Sequence, residues 1–392
     1  MNKIIGLSIL LGVVFSSFTQ LRIGMIGPSE IFLLLAILLV IISKKGDIVI
    51  HKNIYNTFWV IFFFFISVST LVFGFLDGNI SIAYFIELSS YIFVFITVLM
   101  WFNFYIEQKT VMLERLMYYV YIVSSILLII MYIFTFFSTN FFGIQLYFGE
   151  RLRLLSENPH QLSTYIGPIL IIGLQYFDNK ILSMKNILLG INSILLFFIG
   201  LGTLSTTFYV AITLSFVFIF FLNIAWFLKS INKYLVVSLV FLIFSGILSF
   251  LYFRLDLIYR IFLSDENGVG RLLLWSEAIV LSAKNFFIGH GLGSVIPTTN
   301  SSEDTILAHN LILDVLLKGG IIPALTLLIM FIYSFYKFKS YKIYSTVLFF
   351  IVIYSIAGFT LNRVIFWFFI VTIFVLILKK RGHKNEKGIN HR

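Results

Sequence analysis

Three separated segments of this chain gather side chains able to hold an anion and move a proton. Arg151 and Arg153 are followed by Asn158, Pro159 and His160; Gly270 and Arg271 precede Trp275 by one helical turn; His309 and Asn310 are followed, after nine residues, by Gly320. Guanidinium is a permanently charged planar fork matched to phosphate oxygens. Imidazole titrates near neutrality and is the natural base for a hydroxyl. The combination suits a group transfer in which a diphosphate departs: its developing charge needs fixed donors in a water-poor site, and the acceptor hydroxyl needs a base. His309, placed at the start of a helix, meets the positive end of the macrodipole, which favours the neutral base.

Each residue also has a plainer reading. His309 serves equally well as an interfacial capping residue. Arg271 can snorkel to headgroups, as can Arg254, Arg260 and Arg363 beside the ends of apolar runs. Arg151 can pair with Glu150 or Glu157, a surface contact worth little, and His160 and Asn310 can be loop residues. Glu87 lies inside an apolar run, where an ionisable group is a functional candidate by default, although protonation or an interhelical hydrogen bond explains it too. No metal is implied. Glu303 and Asp304 are adjacent, and His160, His290 and His309 lack ligand spacing. The Gly268–Gly270 turn is not followed by the Lys-Ser or Lys-Thr of a phosphate loop. With no cysteine, disulfides, thiolate metal sites and a thiol nucleophile are excluded.

The elements that must position these groups are helices in a membrane. The chain has 392 residues, 60% hydrophobic and 11% charged, against roughly a quarter charged in soluble domains. At about 20 residues per crossing, apolar runs fall at 4–18, 29–43, 54–76, 81–106, 112–137, 162–177, 183–202, 206–228, 233–253, 319–338, 342–361 and 363–379. Hydrocarbon offers backbone groups no partner, so these runs are helices, and the strict alternation of barrel strands is missing. The expected fold is an all-α polytopic membrane protein of about twelve spans. Residues 1–253 hold nine spans and a smaller external loop at 138–161, residues 254–318 form one large external loop, and residues 319–379 hold the last three spans. A basic end at 380–392 reads as disordered and cytoplasmic. Lys3 before the first run resembles a secretory leader, but no cleavage site follows, which predicts an uncleaved helix.

Within the large loop, Leu272, Trp275 and Ile279 repeat at helical spacing, predicting a short amphipathic helix over 271–284. His309 is expected to open another short helix, with Asp314 and Lys318 paired one turn apart and a glycine hinge at Gly319 and Gly320.

The cations sort by type. Lys44, Lys45, Lys52, Lys109, Arg115, Lys180, Lys185, Lys229, Lys233, Lys337, Lys339 and Lys342 fall in alternate loops with the basic end, which makes that side cytoplasmic and places both termini there. Arg22, Arg151, Arg153, Arg254, Arg260, Arg271 and Arg363 fall on the other side, where topology gains nothing from them. The net charge of +11 therefore reflects topology and anionic lipid, and nucleic acid is not expected as a partner.

The order of RLRLLSENPHQLSTYI (151–166), GVGRLLLWSEAIVLSAKNFFIGHGLG (268–293) and AHNLILDVLLKGGIIP (308–323) resembles the Wzy polysaccharide polymerase and O-antigen ligase superfamily. Arg151 and Gly167, fifteen residues apart in between, match an Arg-to-Gly pattern of polymerase loops. The resemblance implies a GT-C-type glycosyltransferase fold in the inner membrane, acting outside the cytoplasm, without metal or cofactor, on undecaprenyl-diphosphate-linked oligosaccharides of lipopolysaccharide or capsule. It also implies a chain-length regulator protein as a partner. By that similarity His309 is the base and Arg271 a diphosphate ligand, with Arg151, Arg153, Arg254, Asn310 and His160 as further substrate-binding candidates. The chain departs from the family where a Ser-Arg pair is expected after a mid-chain Thr: it has Thr203, Leu204, Ser205, Thr206 and Thr207. Arg151, Arg153 or Arg254 are candidate replacements. Pro323, where ligases tend to have a small or hydroxylated residue, tilts the reading toward a polymerase. A lipid-linked oligosaccharide flippase also has about twelve spans, but should line a central cavity with cations carried by the spans themselves.

Overall fold

A computed structural model of the chain describes residues 1–24, 26–77, 82–177, 183–230, 271–293, 308–358 and 361–389. They form α1 (Asn2–Phe15), α2 (Pro28–Ser43), α3 (Ile54–Asp77), α4 (Ile82–Tyr105), α5 (Thr110–Phe134), α6 (Pro159–Gly173), α7 (Met184–Gly202) and α8 (Thr206–Ser230), followed by α9 (Arg271–Lys284), α10 (Leu311–Gly319), α11 (Ile321–Phe338), α12 (Lys342–Ile356) and α13 (Val364–Ile389). Between α5 and α6 lie two small antiparallel ladders: β1 (Asn140–Phe141) with β2 (Ile144–Gln145), and β3 (Tyr147–Phe148) with β4 (Arg151–Leu152). Six helices among the described residues, α3, α4, α5, α7, α8 and α11, are long and apolar enough to cross a membrane, and α1, α2 and α12 are shorter apolar helices. The protein is a helical membrane protein. The run expected at 233–253 lies outside the described residues.

α13 is the axis of the packing. Every residue from Val364 to Ile377 is buried, as a helix apolar on all faces must be. Trp367 meets Trp59 of α3 at 5.0 Å between ring centroids, and Phe374 meets Tyr55 at 4.8 Å. Past the core this helix continues to Ile389, so the expected disordered end is helical. Once a helix is nucleated each further residue adds a bond, and Lys, Arg and Glu extend it readily.

The two ends of the bundle carry different chemistry. At one end lysines tie neighbouring helices together: Lys44 pairs with Glu107, Lys380 with Glu114 at 2.6 Å, and Lys342 donates to Asn223. At the other end polar turns interlock. The α1–α2 turn meets the start of α6 through Thr19 Oγ1, which donates to Gln161 Oε1 at 2.6 Å, and through Gln20 N–H on Leu155 O. Asn158 caps α6 by accepting from Gln161 N–H at 2.9 Å, with Pro159 preset for the first turn.

Candidate functional site

The first cluster forms where α6 begins beside the α7–α8 turn. β3 and β4 hold Arg151 opposite Phe148, and its guanidinium crosses to that turn: Nε donates to Thr203 O at 3.2 Å, and a terminal nitrogen donates to His160 Nε2 at 3.1 Å. Arginine can only donate, so Nε2 must accept, and the His160 proton sits on Nδ1, 3.0 Å from Ser205 Oγ. His160 thereby uses both ring nitrogens to orient Arg151. Tyr354 of α12 fixes the same turn of α6 by donating to His160 O at 2.9 Å. The Arg151 guanidinium thus reaches the Thr203–Ser205 turn, where the expected Ser-Arg pair is missing. Arg153 turns elsewhere, donating to Gln145 O and Glu157 O and resting over Phe148, 5.7 Å from the ring centroid.

The second cluster joins the two later motifs. α9 packs Leu274 and Ala278 against Ala308 and Leu317, and Trp275 Nε1–H donates to Ala308 O at 2.9 Å. Ala308 N–H in turn donates to Asp314 Oδ1 at 3.1 Å. His309 follows with a left-handed backbone, φ 49°, and a half-buried side chain. Helix α10 starts two residues later than expected, because Asn310 is its cap: the Asn310 side-chain Oδ1 accepts from Ile312 N–H and Leu313 N–H at 3.1 and 3.2 Å. That bond pattern commits the Asn310 oxygen to the backbone.

The glycines of both motifs explain the junction. His290 N–H donates to Leu317 O at 2.7 Å, Gly291 N–H to Lys318 O at 3.0 Å, and Ile321 N–H to Phe286 O at 2.9 Å. A Cβ on Gly320 (φ 82°) would lie 2.2 Å from Phe287 O, so the backbones approach this closely only with glycine there. Beneath them Lys318, 1% exposed, pairs with Glu87 of α4 and donates to Tyr91 Oη at 3.3 Å, while the second Glu87 oxygen accepts from Gly293 N–H at 3.1 Å. Glu87 is therefore an interhelical ion-pair partner. Asp314, fully buried, keeps one carboxylate oxygen without a hydrogen-bond partner. Burial pushes its carboxyl up to about 6, against the pull of Lys318 and Ala308 N–H.

Arg271 opens α9, one turn before Trp275. Its side chain, and all of Arg254 and Arg260, lie outside the described residues. Sequence reasoning missed Ser205, Tyr354 and the Lys318–Glu87 pair as parts of these clusters. Their partners are 45, 194 and 231 positions away, beyond any local signal. No group of three or more potential metal ligands occurs among the described residues.

Residues 191–328 match the family model described as O-antigen ligase. That segment, which contains the α7–α8 turn, Arg271, Trp275, His309 and Gly320, is similar to this family. No curated protein matches the chain.

Proposed function

We propose that the protein is a metal-independent polysaccharide polymerase. It moves a growing glycan from undecaprenyl diphosphate onto the non-reducing hydroxyl of a lipid-linked repeat unit. The supporting observation is the Trp275–Ala308 bond, which fastens the motif bearing Arg271 to the residue preceding His309. In this reading His309 takes the acceptor proton, and Arg271 and Arg151 hold the departing diphosphate. Arg153 and Asn310 support the surrounding loops. The bundle then has about twelve spans of GT-C type in the inner membrane, both termini are cytoplasmic, and the arginine-bearing end faces outward.

The match to a family described as O-antigen ligase is equally compatible with a second reading, in which the same chemistry transfers finished glycan to lipid A core or protein. Purified protein incubated with lipid-linked repeats separates the two: a polymer ladder marks the polymerase, and label appearing only on an added acceptor marks the ligase. His309→Ala should abolish either product with the protein still inserted, and normal product from that variant overturns the base assignment. Translocation of the substrate without elongation would make the protein a flippase instead.

A further inference from the structure

The α1–α2 turn, α4 and the starts of α6 and α13 enclose a cavity of about 50 Å³, several times the roughly 10–15 Å³ one water needs; it borders the α6 start that carries His160 but is lined by different residues. Arg22, Ser17, Asn362 and Arg363 line it, together with Glu30 and the first residues of α13, Val364 and Ile365. Arg363 does not snorkel outward as its position in the sequence suggests; it stands at the mouth of the buried central helix and faces this space. Two features make the wall receptive to an anion. The exposed N–H groups of a helix start are donors at the positive end of its dipole. The Ser17 hydroxyl, 3% exposed, has no hydrogen-bond partner.

The charges leave room for a ligand. Arg22 is partly neutralised by Glu30, 2.5 Å away, and Glu30 also accepts from Gly27 N–H at the start of α2. Among the described residues the Arg363 guanidinium makes no hydrogen bond or ion pair; its backbone carbonyl accepts from Phe366 N–H. The half-buried guanidinium keeps its donors available to a ligand in the cavity. An oxyanion would satisfy it, the Ser17 hydroxyl and the helix start together, and the Asn362 carboxamide can turn its amide toward the same group.

The geometry points to a phosphate-type oxyanion site formed by Arg363, Arg22, Ser17 and the start of α13, which shares no lining residue with the His309 and Arg151 clusters. The site takes one phosphate group, carried by a polyprenyl phosphate lipid or free in solution. It does not depend on the transfer reaction proposed above.

The test uses the full-length protein in detergent, with inorganic phosphate as the probe and binding read by the shift in Tm. Wild type should show a saturable rise. Arg363→Met should weaken binding at least tenfold and Ser17→Ala severalfold, while His309→Ala should leave it unchanged even where it abolishes transfer. Displacement of phosphate by a polyprenyl phosphate at lower concentration identifies the lipid as the source, and displacement by phosphate alone identifies the free anion. No saturable shift in wild type, or an undiminished one in both Arg363→Met and Ser17→Ala, overturns the site.

Discussion

The Trp275 indole N–H donates to the carbonyl of Ala308, 2.9 Å away and one residue before His309. The bond spans 33 positions of sequence and holds the carbonyl that precedes the left-handed His309, φ 49°. A hydrogen bond of this kind contributes about 1 kcal/mol, which corresponds to about five- to tenfold in rate if it is needed only to aim His309. Trp275→Phe, which keeps the packing and removes the donor, should therefore lower kcat by about that factor with the Tm little changed. An unaltered kcat would separate Trp275 from the reaction.

Arg151 and His160 form a unit in which the ring orients the guanidinium. Glutamine can reproduce both bonds, its carbonyl accepting from Arg151 and its amide donating to Ser205. His160→Gln should retain most transfer activity, and His160→Phe should lose it through a raised KM for the lipid-diphosphate donor. Arg151→Lys should resemble the phenylalanine variant, since an ammonium lacks the fork. Equal losses in the glutamine and phenylalanine variants would mean that His160 itself exchanges protons.

Asp314 makes stability depend on pH in a defined direction. Its carboxyl is raised from 3.8 to about 6 by burial, so the folded protein favours the protonated form. The associated stabilisation is complete below the unfolded value near 3.8 and is lost as pH rises through about 6. Asp314→Asn should melt higher than wild type at pH 7.5, and the gap should narrow at pH 5. A gap independent of pH would show that Asp314 does not titrate in this range.

Gly320 tests the junction between the motifs. Its backbone, φ 82° and ψ −172°, is a region open essentially to glycine, and an added Cβ would strike Phe287 O. Gly320→Ala should cost more than about 2 kcal/mol, read as a lower Tm. Gly190→Ala, where nothing lies within 4 Å of the new carbon, should be neutral or slightly stabilising. Similar Tm values for the two variants would contradict the close backbone approach.

Much of this architecture is local and therefore legible in the chain. Spans declare themselves by composition, because hydrocarbon tolerates only hydrogen-bonded helices; α3, α4, α7 and α8 lie where apolar runs predict them. The helix over 271–284 lies where periodicity predicts it, although it buries Leu274 and Ala278 and leaves Leu272 and Ile279 exposed. The His-Asn and Gly-Arg-x-x-x-Trp motifs mark the neighbourhood of the site through residue type. Even so, Asn310 rather than His309 caps α10, a choice made by side-chain geometry at a single turn.

The partners were decided by packing. Nothing near Arg151 in sequence predicts that its guanidinium reaches the Thr203 carbonyl, or that Lys318, expected to pair with Asp314 one turn away, pairs with Glu87 of α4. Nor does the sequence reveal that Arg363 faces inward over a cavity while Arg153 stays on its loop. Periodicity reports which face of a helix is apolar, but a polar side chain's partner depends on which helices become neighbours and at what height. That is set by ring and glycine contacts such as Trp59 on Trp367 and Gly289 against Gly320, which exist only once the bundle has closed.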